Sequence, residues 1–323
     1  MPTSEFALID RYFATQRSQR PDVALGIGDD CALLIPPADQ HLVATMDTLV
    51  AGVHFFANAD PASLGHKALA VNLSDLAAMG AAPAWAMLAL TLPDVDEHWL
   101  EQFCQGLFAL ADRYEMQLIG GDTTHGPATV ITIQAQGFIP PGLALNRDGA
   151  QPDDGIYVTG TPGDAGLALA AAFGTVVVAP EYRGYLQQQL ERPEPRIAQG
   201  LALRGIASAA IDISDGMAQD LGHILQRSRV GARLEVDRLP LSRALAASLD
   251  HEAALGTALA SGDDYELCFT VPPDRTALLT AVAAAWNCRC TGIGVITEEP
   301  GLQLRRADGS AFSLQRAGYD HFG

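Results

Sequence analysis

Six short acidic segments are spread along the chain, each set among glycines or hydroxyl residues: Gly28-Asp29-Asp30, Thr45-Met46-Asp47-Thr48, Ser74-Asp75, Gly120-Gly121-Asp122-Thr123-Thr124, Asp212-Ile213-Ser214-Asp215-Gly216 and Gly262-Asp263-Asp264. A short carboxylate beside hydroxyls offers the all-oxygen ligation that hard divalent cations take, and glycine lets a backbone or a ligand come close. Taken singly, each segment also fits an ordinary turn or helix cap. Six of them in one chain favour a shared site. Asp outnumbers Glu by 26 to 12, more than a merely solvated acidic surface requires.

The elements that must carry these side chains follow from periodicity. Leu64, Ala68, Val71 and Met79, with Leu69, Leu73 and Leu76, predict a helix over 62–79 that is apolar nearly all round and therefore buried. Asp75 projects among Ala68, Val71 and Met79, so it must be protonated, paired with a buried arginine or bound to metal. A strand over 41–50 puts Thr45 and Asp47 on one face, and Met46 between them offers only its carbonyl. A strand over 209–213 aligns Asp212 with Ser214. Asp215 then stands at the start of a helix over 217–227, where a plain N-cap competes with a ligand role and free amides suit a phosphate. Gly120-Gly121-Asp122 is expected to end a strand at 117–119, where a nucleotide would be approached by backbone.

The remaining pattern is an opening helix capped by Ser4 with Phe6, Ile9, Tyr12 and Phe13 on one face, strands at 31–35, 84–92, 129–139, 155–159, 266–271 and 291–296, and helices at 96–114, 165–173, 181–190, 195–203 and 243–249. Pro140-Pro141-Gly142 and Gly149-Ala150-Gln151-Pro152 punctuate the chain and mark a domain boundary, which gives two α/β halves, 1–148 and 149–323. Periodicity leaves the choice between parallel and antiparallel sheets open.

Composition narrows the function classes. The chain has 323 residues, 48% apolar, with 20 Lys+Arg against 38 Asp+Glu and a net charge of −18. That acidity argues against nucleic-acid partners, and no apolar run approaches the ~18 residues of a membrane span. Lys67 is the only lysine, and neither Gly-x-x-x-x-Gly-Lys-Ser/Thr nor a strand-linked Gly-x-Gly-x-x-Gly occurs. A polyphosphate would therefore be carried by Mg2+ held on carboxylates, with an arginine or two. Five scattered cysteines and an N-terminus without a basic flank point to reduced thiols in the cytoplasm. On their own, His54 reads as a packed strand histidine, Arg147 as a solvated loop residue and Tyr319 as ordinary packing.

Gly26-Ile27-Gly28-Asp29-Asp30, the run from Asp47 to Phe55, the run from Ala70 to Gly80, Gly120-Gly121-Asp122-Thr123-Thr124, Ile211-Asp212-Ile213-Ser214-Asp215-Gly216 and the run from Ser261 to Leu267 resemble, in this order, the thiamine-monophosphate kinase family. The resemblance extends from Phe6 to Gly318-Tyr319-Asp320-His321-Phe322. It implies an α/β (α+β) chain with the two-domain aminoimidazole ribonucleotide synthetase-like fold. The N-terminal domain would form a sheet, dimerise and bind ATP and Mg2+, and the C-terminal α/β domain would complete the substrate site. The implied reaction is ATP-dependent phosphorylation of thiamine phosphate to thiamine diphosphate, the last step of that biosynthesis, by direct in-line transfer with several Mg2+ ions and no general base. Another ATP-dependent synthetase of the same superfamily is the alternative.

Carried over position by position, Asp30, Thr45, Met46, Asp47, Asp75, Asp122, Asp212 and Asp215 would hold metal. Gly121, Asp122, Arg147 and Ser214 would contact ATP, and His54, Asp263 and Tyr319 the thiamine phosphate. Met46 stands where the family often has a hydroxyl residue, which leaves a main-chain contact, and Asp263 stands where it usually has Glu. The implied partners are these two substrates and a second copy of the chain.

Overall fold

A computed structural model describes residues 5–316, 318 and 319, with Glu5 and Phe6 described for their backbone only. Ser4, the expected first cap, and Asp320, His321 and Phe322 lie outside the described residues. The chain divides into two compact units: Met1–Leu76 with Ala81–Gly142, and Ala77–Gly80 with Leu143–Gly323.

The first unit opens with a helical turn, Glu5–Leu8, that runs on into a π-helical turn, Ile9–Phe13, and buries Leu8, Tyr12 and Phe13. A two-stranded ribbon follows, β1 (Val23–Leu25) against β2 (Leu33–Leu34), in place of the longer strand expected at 31–35. Strands β3 (His41–Val50), β4 (Ala82–Leu92), β5 (Gln117–His125) and β6 (Val130–Ile139) make a sheet of order β3-β6-β4-β5, antiparallel except where β4 meets β5. Side chains alternate across it. Leu49, Ile131, Ile133, Leu88 and Leu90 are buried on one face, while Met46, Gln134 and Met87 form a cross-strand row on the other. One end of that second face is roofed where Trp85 meets Phe138 edge-on and Val23, Ala32 and Leu34 pack over them.

The helix Pro61–Ala78 is buried along most of its length, as its all-round apolar pattern predicts. The helix Glu97–Arg113 starts at Asp96, whose carboxylate accepts the N–H groups of His98 and Trp99. These two helices touch backbone to backbone. A Cβ on Gly106 would lie 1.8 Å from the Ala62 carbonyl oxygen, and one on Gly65 would lie 2.0 Å from that of Phe103.

The second unit is a six-stranded sheet made of β7 (Gly155–Thr159), β8 (Ala209–Asp212), β9 (Gly231–Glu235), β10 (Leu267–Val271), β11 (Cys290–Thr297) and β12 (Gly301–Arg305). Its order is β12-β9-β11-β7-β10-β8, and only β9 and β12 run parallel. Helices Met217–Ser228 and His251–Ala260 contribute Leu221, Ile224, Leu255 and Leu259 to a core shared with Val158, Ile211 and Leu234. The strands β1, β9 and β12 and the helices His251–Ala260 and Thr276–Ala283 were not expected from periodicity. Among the described residues no helix is long and apolar enough to cross a membrane.

The glycine contacts separate space from flexibility. Gly106→Ala has to push two helix backbones apart and should cost roughly 1–3 kcal/mol. Gly222, inside Met217–Ser228, has nothing within 4 Å of a built Cβ, so Gly222→Ala should add about 0.5–1 kcal/mol by stiffening the unfolded chain. Denaturant melts of the two variants should move in opposite directions.

Candidate functional site

In the first unit the edge strand β3 and the helix Pro61–Ala78 bring three expected residues together. The Thr45 hydroxyl donates to Asp75 Oδ2. Beside it the Asp47 N–H donates to Asn72 Oδ1 at 3.1 Å, and Asn72 Nδ2 donates back to the Ala68 carbonyl, also at 3.1 Å. Asn72, fully buried and missed in the sequence reading, is the side chain that ties strand to helix. Asp75 is half-buried where the apolar helix predicted enclosure, because it faces the polar Thr45–Asp47 stretch of an edge strand.

No donor among the described residues reaches the Asp47 carboxylate. Loss of water, and then the neighbouring charge of Asp75, push its pKa from the usual 3.8 to about 6. This is an all-oxygen set with a carboxylate left unanswered, which is the chemistry a hard divalent cation accepts. Three or more His, Cys, Asp or Glu side chains do not converge anywhere among the described residues, so hydroxyls, carbonyls or ligand oxygens would have to complete the coordination.

The other expected residues of this unit lie apart from that cluster. Asp30 is in an exposed bend, where its N–H bonds Asp29 Oδ1 at 2.8 Å. The Met46 side chain, 65% exposed, points to the opposite face of the sheet. The segment Gly120-Gly121-Asp122 does not end a strand: β5 runs through it to His125. Gly121 is required there by strand contact, since its Cβ would meet the Leu88 carbonyl oxygen at 1.8 Å. Register across the sheet, Thr48 to Thr132 to Ala89 to Asp122, puts Asp122 on the face opposite Asp47. His54 is in the turn after β3, not on a strand. Its Nδ1 accepts the Val50 N–H at 3.0 Å, which leaves the ring proton on Nε2.

In the second unit β8 delivers Asp212, 5% exposed and paired with Leu267. The chain beyond it is laced to the segment 262–266. Ile213 N donates to Glu266 O, Tyr265 N to Ile213 O and Asp263 N to Ser214 O, each at 2.8 Å. Asp263 and Tyr265 both take left-handed backbone, φ 68° and 51°, and the Tyr265 hydroxyl donates to Asp263 Oδ1 at 2.9 Å. Tyr319 N donates to the Asp215 carbonyl at 2.9 Å, and Gln219 Nε2 donates to the Tyr319 carbonyl at 2.9 Å. Gly318, part of the closing motif in the sequence, has a packing role that the sequence did not reveal: its Cβ would sit 2.6 Å from Gln219 Oε1 and 2.7 Å from the Asp215 carbonyl. Ser214, Asp215, Asp263 and Tyr319 are thus neighbours. Arg147 is in an exposed loop whose carbonyl takes the Ser228 hydroxyl at 2.8 Å.

Two expectations about this loop are corrected. Asp215 is not the helix cap; Gly216 is, without a side-chain cap. Nor are the amides ahead of the helix free, because Asp220 Oδ2 accepts the N–H groups of Ser214, Asp215 and Gly216 at 3.0, 3.0 and 3.1 Å. Burial pushes Asp220 up to about 6, and those amides pull the other way.

Curated relatives match this chain from end to end. Family models described as AIR synthase related protein, N-terminal domain, and AIR synthase related protein, C-terminal domain, match residues 28–139 and 151–306. The thiamine-monophosphate kinase of Escherichia coli (strain K12) is 54% identical over 324 residues, covering 100% of this chain and 99% of the relative. The crystal structure of thiamine-monophosphate kinase from Stenotrophomonas maltophilia K279a is 47% identical with a TM-score of 0.87, over 96% of this chain and 98% of that one. A structure of AaThiL complexed with AMPPCP and TMP is 31% identical with a TM-score of 0.76, over 98% of this chain and 97% of that one. With its two AIR synthase-like domains and this identity from end to end, the chain belongs to the thiamine-monophosphate kinase family.

Proposed function

We propose that this chain transfers the γ-phosphoryl group of ATP to thiamine monophosphate and releases thiamine diphosphate and ADP. Identity of 54% over the full length with a protein named for that activity carries the reading. The AaThiL complex with AMPPCP, an ATP analogue, and TMP supports the same pair of substrates. We place the reaction in the cytoplasm, which supplies ATP and suits the free thiols of Cys31, Cys104, Cys268, Cys288 and Cys290.

The acceptor is a phosphate monoester, largely dianionic at neutral pH, so no general base is needed to create the nucleophile. The barrier is the meeting of two anions, and transfer is direct and in line, with no phosphoenzyme. In this reading Asp30, Thr45, the Met46 carbonyl, Asp47, Asp75, Asp122, Asp212 and Asp215 would hold Mg2+. Bound Mg2+ would supply charge neutralisation between the two sets of phosphate oxygens. Gly121, Asp122, Arg147 and Ser214 orient ATP, with the exposed Arg147 guanidinium suited to a phosphate fork. His54 donates from Nε2 to a substrate oxygen. Asp263 and the half-exposed Tyr319 ring meet the cationic thiazolium, a cation–π contact contributing about 0.5–2 kcal/mol. The protein works as a homodimer through the open face of the N-terminal sheet, a reading supported by the exposure of Leu42, Met46 and Met87.

Incubation with ATP, Mg2+ and thiamine monophosphate should give thiamine diphosphate by mass, one per ADP. ADP formed without it would overturn the reading. Asp75→Asn should lower kcat by about 100-fold or more while moving the unfolding midpoint by less than ~1 kcal/mol. Asp47 tests the cation directly. Its pKa is raised in the fold, so metal-free stability falls as pH rises from 3.8 toward 6 and stays penalised above. Asp47→Asn should therefore stabilise the metal-free protein at pH 7.5, by at most ~3 kcal/mol, and give nothing at pH 4. The same variant should lose the thermal shift that millimolar Mg2+ gives the parent. Met46→Glu, which places a charge on the open face, should convert the dimer to a monomer by light scattering.

A further inference from the structure

The helix Met217–Ser228 begins in an unusual way. Its first amides are met not by a cap side chain at Gly216 but by Asp220, in the helix's own first turn and 3% exposed. A single oxygen, Oδ2, takes the three consecutive N–H groups of Ser214, Asp215 and Gly216. Three amides converging on one point make the concavity that elsewhere binds a phosphate or another anion, and here the chain fills it with its own carboxylate. The carbonyl side of the same loop is held from other directions, by Asp263 N on the Ser214 carbonyl and by Tyr319 N on the Asp215 carbonyl. With both sides of these peptide planes fixed, the directions in which Ser214 Oγ and the Asp215 carboxylate leave the backbone are fixed too.

We propose that Asp220 is a positioning residue for the phosphoryl-transfer reaction: it presets Ser214 and Asp215 and closes the helix N-terminus to phosphate. The inference rests on the reading of Ser214 and Asp215 given above. A carboxylate oxygen sets the loop before substrates arrive, so the ordering cost falls on folding and not on binding. It also means that phosphates meet side chains here and not amides.

The test uses the full-length protein in four variants: Asp220→Ala, which removes the acceptor; Asp220→Asn, which keeps an acceptor oxygen in place; Asp220→Glu, which keeps the charge but displaces the oxygen; and Asp215→Asn. In the metal-free protein, amide exchange at Ser214, Asp215 and Gly216 should be slow in the parent and in Asp220→Asn, and faster by about tenfold or more in Asp220→Ala and Asp220→Glu. In turnover assays Asp220→Ala should raise the KM for ATP and the half-saturating Mg2+ concentration by about tenfold with a smaller fall in kcat, and Asp220→Asn should stay within about threefold of the parent. If Asp220→Ala folds poorly, Asp220→Glu carries the same comparison. Parental KM and Mg2+ values in both, with only a lower kcat, would mean a purely structural role and overturn the proposal, as would Asp220→Asn failing like Asp220→Ala. If Asp215→Asn shifts the Mg2+ dependence and Asp220→Ala and Asp220→Glu do not, this proposal alone falls. If Asp215→Asn leaves it unchanged, the reading of Asp215 falls and takes this one with it.

Discussion

A carboxylate taken out of water must be met by a donor, a cation or a proton, and the layout of this protein follows from how each buried one is met. Glu266 receives the Arg196 fork at 2.6 and 2.5 Å and the Thr159 hydroxyl at 2.5 Å. Asp164 is surrounded by the hydroxyls of Ser242, Tyr185 and Thr161. Asp264, pushed well above its usual pKa by loss of water, takes the Gly163 N–H at 2.8 Å. Asp220 takes three amides. Those four are answered by the chain itself. Asp47 is different: its neighbours are another carboxylate and an N–H that points at Asn72, and its acidity is weakened accordingly. On the reading proposed above, a bound cation is the partner that this carboxylate lacks among the described residues.

Part of this was legible in the sequence. The two-residue period of a strand is enough to put Thr45 and Asp47 on one face, and an all-round apolar helix is enough to bury the segment that carries Asp75. Both rest on local geometry that any backbone of that type obeys. The fate of Gly120-Gly121-Asp122 was not legible, because glycine pairs read as a turn when nothing local opposes that reading. The strand continues because Gly121 lets β5 approach the Leu88 carbonyl, a contact with a residue 33 positions earlier. Asp220 was hidden for a related reason. Inside a helix an isolated Asp looks like solvent-facing polarity, and only the path of the loop before it reveals three amides waiting. Ala-rich helices such as Thr276–Ala283 give no contrast between faces, and a strand as short as the three residues of β1 gives too few alternations.

The strained backbone at Asp263 and Tyr265 has a similar logic. Left-handed conformations cost on the order of 1–3 kcal/mol each away from glycine, more readily borne by Asp than by Tyr. They persist because the hydrogen bonds on either side are all made: Asp263 N to Ser214, Tyr265 N to Ile213, the Tyr265 hydroxyl to Asp263, and Gly163 N to Asp264. The segment cannot relax without breaking several at once. The last described residues join the same arrangement, since Gly318 is small enough to lie on Asp215 and Gln219 while Tyr319 bonds both. What reads as a chain end is therefore part of the loop's support.

These arrangements bear on how an acidic protein handles a polyphosphate at all. With a net charge of −18, the long-range field opposes ATP, though salt screens it beyond about 8 Å. Close to the protein the usual answers are missing. The one lysine, Lys67, is 4% exposed within the helix Pro61–Ala78, and the amides ahead of Met217–Ser228 are already occupied by Asp220. Neither a lysine cradle nor that helix terminus is left to receive phosphate oxygens. Arginine remains, and so do the carboxylates, which attract phosphates only when a cation stands between them. On the reading proposed above, the scarcity of lysine and the excess of aspartate are two aspects of one constraint: a cation has to share with arginine the balancing of ATP's charge.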